Sequence, residues 1–290
     1  MAASRAGRRP SIWLLSGTGE GPLLASRLLA SGWSVQISLV NEDALRAYAP
    51  HPHLLGRVGA LAGPEAIESE LLGGTLAPFR WVIDASHPFA TAISADLAAV
   101  CARIGQPLLR LWRPPVPQPP GSRLTLLDQL QDLADLDLGA ERLLLAIGAR
   151  HLAKAVALAG ARASFARILP TPSSLRLALG AGLPAEALAC HRPGSGPPGA
   201  EGCSIERALL EQWRITAVLC RQSGGATERL WQELCAELGL SLLVLKRPEE
   251  PLSGARLWSL EELLDQVGGI SPGAWSPDPA ARPAGGAPAG

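Results

Sequence analysis

The pattern that most constrains this chain is a short apolar run that stops at glycine or a small polar residue and passes at once into helix-spaced leucines or alanines. Residues 12–15, Ile-Trp-Leu-Leu, lead through Ser16-Gly17-Thr18-Gly19-Glu20-Gly21 into a leucine-spaced helix over 23–29, stopped by Ser31-Gly32. Residues 35–40, 81–83 and 107–111 read as further strands, with helices over 64–72 and 90–104 between them. Strands separated by helices of this length need crossover connections, so the sheet is expected to be parallel with helices on both faces.

From Arg113 to Gly121 the chain reads Arg-Pro-Pro-Val-Pro-Gln-Pro-Pro-Gly, too proline-rich for helix or central strand, and is expected to be a stiff connector. Beyond it the alternation resumes. Strands are expected at 124–127, 142–147, 163–169, 215–220 and 240–245, the last closing the sheet. Helices are expected up to residue 138, from His151, after Pro172, and over 205–212 and 227–238, with an irregular segment at 193–202. The expectation is an α/β chain of two Rossmann-like doubly wound parallel-sheet domains with a cleft between them: 11–115, then 122–267. Residues 268–290, dominated by Pro, Gly and Ala, form a tail that cannot bury enough apolar surface to fold.

Charge excludes some partners. With 26 basic and 26 acidic residues there is no global field to draw the chain to nucleic acid or anionic membrane, so an anionic ligand must be met by local basic clusters. Arginine far outnumbers lysine, which occurs only as Lys154 and Lys246; a GC-rich genome explains this more simply than function does. The five cysteines are dispersed without C-x-x-C or zinc spacing, as expected of free thiols in a cytoplasmic protein, with no metal site. No apolar run reaches about 18 residues without a charge or a breaker, so no membrane span is expected, and the basic N-terminus lacks a signal-length apolar stretch.

Three loops carry the chemistry. In the first, Gly17 and Gly19 permit close backbone approach, and the helix start that follows can receive a phosphate, although Pro22 stands where a dinucleotide fingerprint has its third glycine. A tight turn with no ligand, Glu20 merely complementing the helix dipole, is the plain alternative. In the second, Asp84-Ala85-Ser86-His87-Pro88-Phe89-Ala90 makes a polar corner in which His87 can exchange a proton near neutral pH, or simply bond the loop backbone; Asp84 serves equally as a turn residue. The third, Arg221-Gln222-Ser223-Gly224-Gly225, repeats the strand-glycine-helix logic as an anion cradle, with Gly148 and Arg150 a lesser version. Arg110, Arg113, Arg192 and Arg247 fall near strand ends or connectors, where convergence would make a polyanion site.

Together, the Gly17-Thr18-Gly19-Glu20 turn, the Asp84–Ala90 loop, Arg110 through Arg113-Pro114-Pro115, and Gln222-Ser223-Gly224-Gly225 with Arg247-Pro248 resemble the precorrin-6A and cobalt-precorrin-6A reductases of cobalamin (porphyrin-type) biosynthesis, in order and spacing from residue 12 to 251. Departures are Arg221-Gln222 where the family has Lys-Asn, Ser86 where it has Thr, and Gly202-Cys203-Ser204 where it has Gly-Pro-Phe. The resemblance implies an NAD(P)H-dependent oxidoreductase, NADPH preferred, acting on a polycarboxylated tetrapyrrole. On that resemblance nucleotide contacts are expected at Gly17, Thr18, Gly19, Glu20, Ser86, Pro88 and Phe89, and substrate contacts at Arg113, Arg221, Gln222, Ser223, Gly224, Gly225 and Arg247; His87 is the candidate proton donor, with bound water or a substrate carboxylate as the alternatives. Asn41-Glu42 could favour the non-phosphorylated nucleotide, and Arg46 a 2'-phosphate.

Other classes fare worse. A short-chain dehydrogenase needs Tyr-x-x-x-Lys, but Tyr48 is the only tyrosine and Pro52 follows it. A serine hydrolase elbow needs glycine two residues before Ser223, where Arg221 stands. A tetrapyrrole methyltransferase, or a nicotinamide- or tetrapyrrole-binding protein without turnover, stays open as an alternative.

Overall fold

In this computed structural model the described residues are 9–17, 19–192, 205–250 and 257–268. Thr18, the segment containing Gly202-Cys203-Ser204, and the tail from residue 269 lie outside them. In chain order the elements are β1 (Ser11–Ser16), α1 (Glu20–Ala30), β2 (Ser34–Leu39), β3 (Leu54–Val58), α2 (Gly63–Gly73), β4 (Phe79–Ala85), α3 (Thr91–Ile104) and β5 (Leu108–Leu111). There follow β6 (Arg123–Leu127), β7 (Arg142–Ala146), α4 (Leu152–Ala159), β8 (Ala163–Ile168), α5 (Pro172–Gly180), β9 (Leu188–Cys190), α6 (Ile205–Gln212), β10 (Ala217–Arg221), α7 (Ala226–Leu238), β11 (Ser241–Leu245), β12 (Leu257–Trp258) and α8 (Leu260–Gly268).

The chain divides into two units, Met1–Trp112 with Glu249–Gly290, and Arg113–Pro248. In the first, six parallel strands lie in the order β12-β5-β4-β1-β2-β3. Strand alternation sorts β1 onto two cores: Ile12 and Leu14 pack with Leu24 and Leu28 of α1 and Leu263 and Val267 of α8. Trp13 and Leu15 pack with Ile67 and Leu71 of α2 and Leu97 and Val100 of α3. Each face is therefore covered by helices, which is why these strands read as continuous apolar runs.

In the second unit the order is β6-β11-β10-β7-β8-β9, again all parallel. On one face Leu144, Phe165, Val218 and Val244 pack with Leu210 of α6 and Trp231 and Leu234 of α7. In both sheets the strand order reverses at one place, between β1 and β4 and between β7 and β10, and a parallel sheet opens a crevice at the carboxyl ends of the strands there.

Three expectations need correction. Residues 257–267 belong to the first unit, not the second, because β12 extends β5 and α8 covers the first sheet. β11 does not close its sheet; β6 pairs outside it. The helix expected up to residue 138 is a 3-10 turn over Leu130–Asp135, because the Asp132 carboxylate accepts the N–H groups of Asp128 and Gln129 at 2.9 and 3.0 Å and ties the chain into a tight turn.

Candidate active-site loops

The register of the first unit sets Leu15 opposite Asp84 and Ser16 opposite Ala85, so the loops after β1 and β4 leave the sheet side by side at the switch point. A Cβ built on Gly17 or Gly19 meets nothing within 4 Å, and both residues are exposed. A Cβ on Gly21 would fall 1.8 Å from Ser16 Oγ, 2.8 Å from Ser16 Cβ and 2.3 Å from Tyr48 Oη. Thus Gly21 lets α1 pack against β1, the duty of the fingerprint's third glycine, one position earlier than that spacing places it. Burial raises the Tyr48 phenol pKa, with the Ser16 hydroxyl acting the other way. The open backbone at Gly17 and Gly19 ahead of an eleven-residue helix suits close approach by a nucleotide. Glu20 stands in the first turn, where its charge favours hydroxyls over phosphate.

The loop after β4 is braced from beneath. Asp84 and Arg110 are each 1% exposed and pair at 3.0 Å. Asp84 Oδ1 also accepts the Ser86 N–H at 2.9 Å, and Arg110 donates to the Ser86 carbonyl at 3.2 Å, to its hydroxyl at 3.1 Å, and to Glu250 at 3.1 Å. The Ser86 hydroxyl lies 3.1 Å from that of Ser94. Arg110 is therefore a structural strut rather than an anion receptor at a strand end, and it holds Ser86 with its side chain facing inward and both its N–H and its carbonyl engaged by the brace. Above this brace His87 Nδ1 accepts the Phe89 N–H at 3.2 Å, which places the proton of the neutral ring on Nε2. The His87 and Phe89 rings lie 5.6 Å apart, and Pro88 is buried between them in sequence.

In the second unit Gly224 has φ +70°, and a Cβ there would meet Arg113 Cβ at 2.7 Å and the Pro114 and Arg113 carbonyl oxygens at 2.7 and 2.9 Å. Arg247 donates to the Arg113 carbonyl at 2.7 Å, and its N–H reaches the Gln222 side-chain oxygen at 3.3 Å. Gln222, Gly224, Arg113 and Arg247 thus knot together the two points where the chain enters and leaves this unit. The expected anion cradle is already partly filled: Glu228, 2% exposed in the first turn of α7, accepts the Gly224 N–H at 2.7 Å, while the Gly225 N–H meets Ser223 Oγ at 3.5 Å. A glutamate three residues after the N-cap Gly225 is a readable capping signal. The Arg221 guanidinium lies over the loop after β7, 3.7 Å from where a Gly148 Cβ would stand. Burial lowers its pKa.

One sheet of Rossmann strand order and a second that departs from it by carrying its first strand, β6, at the outer edge, with open or glycine-bearing loops at the reversal of each, place the chain in the class of doubly wound α/β proteins that take ligands at a switch point. The family model described as Precorrin-6x reductase CbiJ/CobK matches residues 11–268, and the chain belongs to that family. It is 32% identical over 247 residues to a cobalt-precorrin-6A reductase of Synechocystis sp., covering 82% of this chain and 89% of the relative. It is 32% identical over 266 residues to a precorrin-6A reductase of Mycobacterium tuberculosis, covering 89% and 98%. A solved structure titled CobK precorrin-6A reductase superposes with a TM-score of 0.71 at 27% identity, covering 91% of this chain and 99% of that one.

Proposed function

We propose that this chain reduces one double bond of precorrin-6A, or of its cobalt form, in cobalamin biosynthesis. Family membership across residues 11–268 carries that reading, and the methyltransferase and carrier alternatives draw no support from relatives named as reductases. The reduced nicotinamide nucleotide supplies hydride when bound. The chain's share is to align the two ligands, keep water out and deliver a proton to the neighbouring carbon. Gly17 and Gly19 give the nucleotide backbone N–H groups, with Thr18 between them, and Glu20 accepts from a hydroxyl. Ser86, Pro88 and Phe89 form the adjoining wall.

His87 is the proposed proton donor, through Nε2–H. The Phe89 N–H holds the opposite nitrogen, so the donor edge has a fixed direction. In the second unit Arg221, Ser223 and Gly225 meet the macrocycle's acidic groups, while Arg113, Gln222, Gly224 and Arg247 hold that loop in place. NADPH is the proposed nucleotide, as the family resemblance suggests: Arg46, 85% exposed and held only in a surface ion pair with Asp43 at 3.4 Å, stands after β2 where a 2'-phosphate would lie, and Asn41 spends its side-chain oxygen on the Ala44 N–H. The described cysteines are all free thiols, which supports a cytoplasmic place of work. No described helix is long and apolar enough to cross a membrane.

The test is an anaerobic assay with precorrin-6A or its cobalt form, following nicotinamide absorbance with NADPH and NADH separately. Oxidation that requires the tetrapyrrole is expected. His87→Ala should lower kcat about a hundredfold or more; undiminished turnover removes His87 from the role.

A further inference from the structure

We propose that Arg167, near the carboxyl end of β8, binds a carboxylate of the macrocycle, with Arg221 beside it. The proposal rests on the reductase reading for the identity of the ligand. β8 is an interior strand, paired with β7 and β9, and Arg167 shares its inward face with Phe165, which lies in the core beneath α6 and α7. Arg167 is only 8% exposed, and its Nε and Nη2 are buried without a hydrogen-bond partner. Among the described residues no carboxylate makes an ion pair with it. Glu206, in the first turn of α6 and itself 2% exposed, lies 3.7 Å from His191 Nδ1 instead. A buried guanidinium without its partners costs stability, and a ligand carboxylate that completes its hydrogen bonds would account for its being kept.

Apart from Glu206, the charged groups acting on this corner are basic. Burial brings Arg167 down to about 10, with Glu206 opposing and Arg221 adding to the fall. His151, just past the loop after β7, feels Arg221, Arg150 and Lys154. These groups gather at the carboxyl edge of the second sheet, beside the switch between β7 and β10, where the geometry of such sheets puts ligands. A carboxylate is the anion that the reductase reading supplies. At the start of α7 the Gly224 N–H is taken by Glu228, so recognition there falls to planar guanidinium groups, which match a carboxylate bidentately.

The test compares wild type with Arg167→Met, which keeps the stem and removes the charge, and Arg167→Lys, which keeps the charge without the fork. We expect Arg167→Met to melt at or above the wild-type temperature. Its KM for the tetrapyrrole should rise about tenfold or more, with KM for the nucleotide unchanged and Arg167→Lys recovering part of the loss. Independently of turnover, uroporphyrin, a stable polycarboxylated porphyrin, should raise the melting temperature of wild type and not of Arg167→Met. A Met variant that melts well below wild type, an unchanged tetrapyrrole KM, a shift confined to the nucleotide KM, or equal porphyrin stabilisation of both proteins overturns the proposal. Wild type that never oxidises nicotinamide nucleotide sinks the reductase reading instead, and the porphyrin melts then decide Arg167 alone.

Discussion

A methyl group added at Gly21 would lie within 3 Å of Ser16 Cβ on the strand beneath, whereas one at Gly19 meets open space. Gly21→Ala should therefore cost about 1–3 kcal/mol, read as a lower urea midpoint with an unchanged m-value. Gly19→Ala should leave the midpoint in place and raise KM for the nucleotide. Equal midpoints for both variants would refute the division of duties between the two glycines. The Asp84–Arg110 pair makes the opposite kind of demand. Asp84→Ala leaves a guanidinium that is 1% exposed without its inner partner and should cost about 3–5 kcal/mol, enough to threaten the fold of a marginally stable unit. Glu250, with its side chain 18% exposed, should matter less when replaced by Ala. Chemical denaturation of the two variants side by side checks the order.

At the scale of elements, His151 lies at the N-cap of α4, and burial, then Arg221, Arg150 and Lys154, hold its pKa below the ordinary value of 6.5. The unfolded chain consequently takes up this proton first as pH falls. Stability that is complete above the unfolded value is lost as pH drops through the folded one, and His151→Gln should flatten the melting temperature over that window. Helices α1 to α7 and the central strands were legible in the sequence because both faces of each sheet are covered, so β1, β4, β7 and β10 are continuous apolar runs; β12 and α8, which return to the first sheet after the second unit, were not read. β3 and β9 escaped notice: each is an edge strand, and Leu-Leu-Gly-Arg-Val and Leu-Ala-Cys carry little periodic signal. The site was legible only as loops at strand ends. What each side chain does there depends on partners far along the chain, as with Arg110 and Glu250, 140 residues apart, or Gly224 against Arg113. Arg167 did carry a signal, a lone charge at an inward position of an otherwise uncharged strand, but the strand's place inside the sheet had to be known before that charge became conspicuous.

For the whole molecule, the first unit depends on chain from both ends of the sequence. Leu263 and Val267 of α8 are buried in the same core as Ile12 and Leu14, so ending the chain after residue 256 should open that core while the second unit, Arg113–Pro248, keeps its own. Hydrogen exchange would show this as lost protection in β1 and β2 with β7 and β10 unaffected; equal protection throughout would contradict it. The same dependence sets an order of events on the ribosome. Domains generally fold as units from the N-terminal end as they emerge, but here the segment that begins first cannot finish first. Its edge strand and covering helix are made only after every residue of the second unit has been added, so the nascent β1 to β5 region waits with one face incompletely covered. A chaperone that captures this protein during synthesis would find its target in the half that was made first.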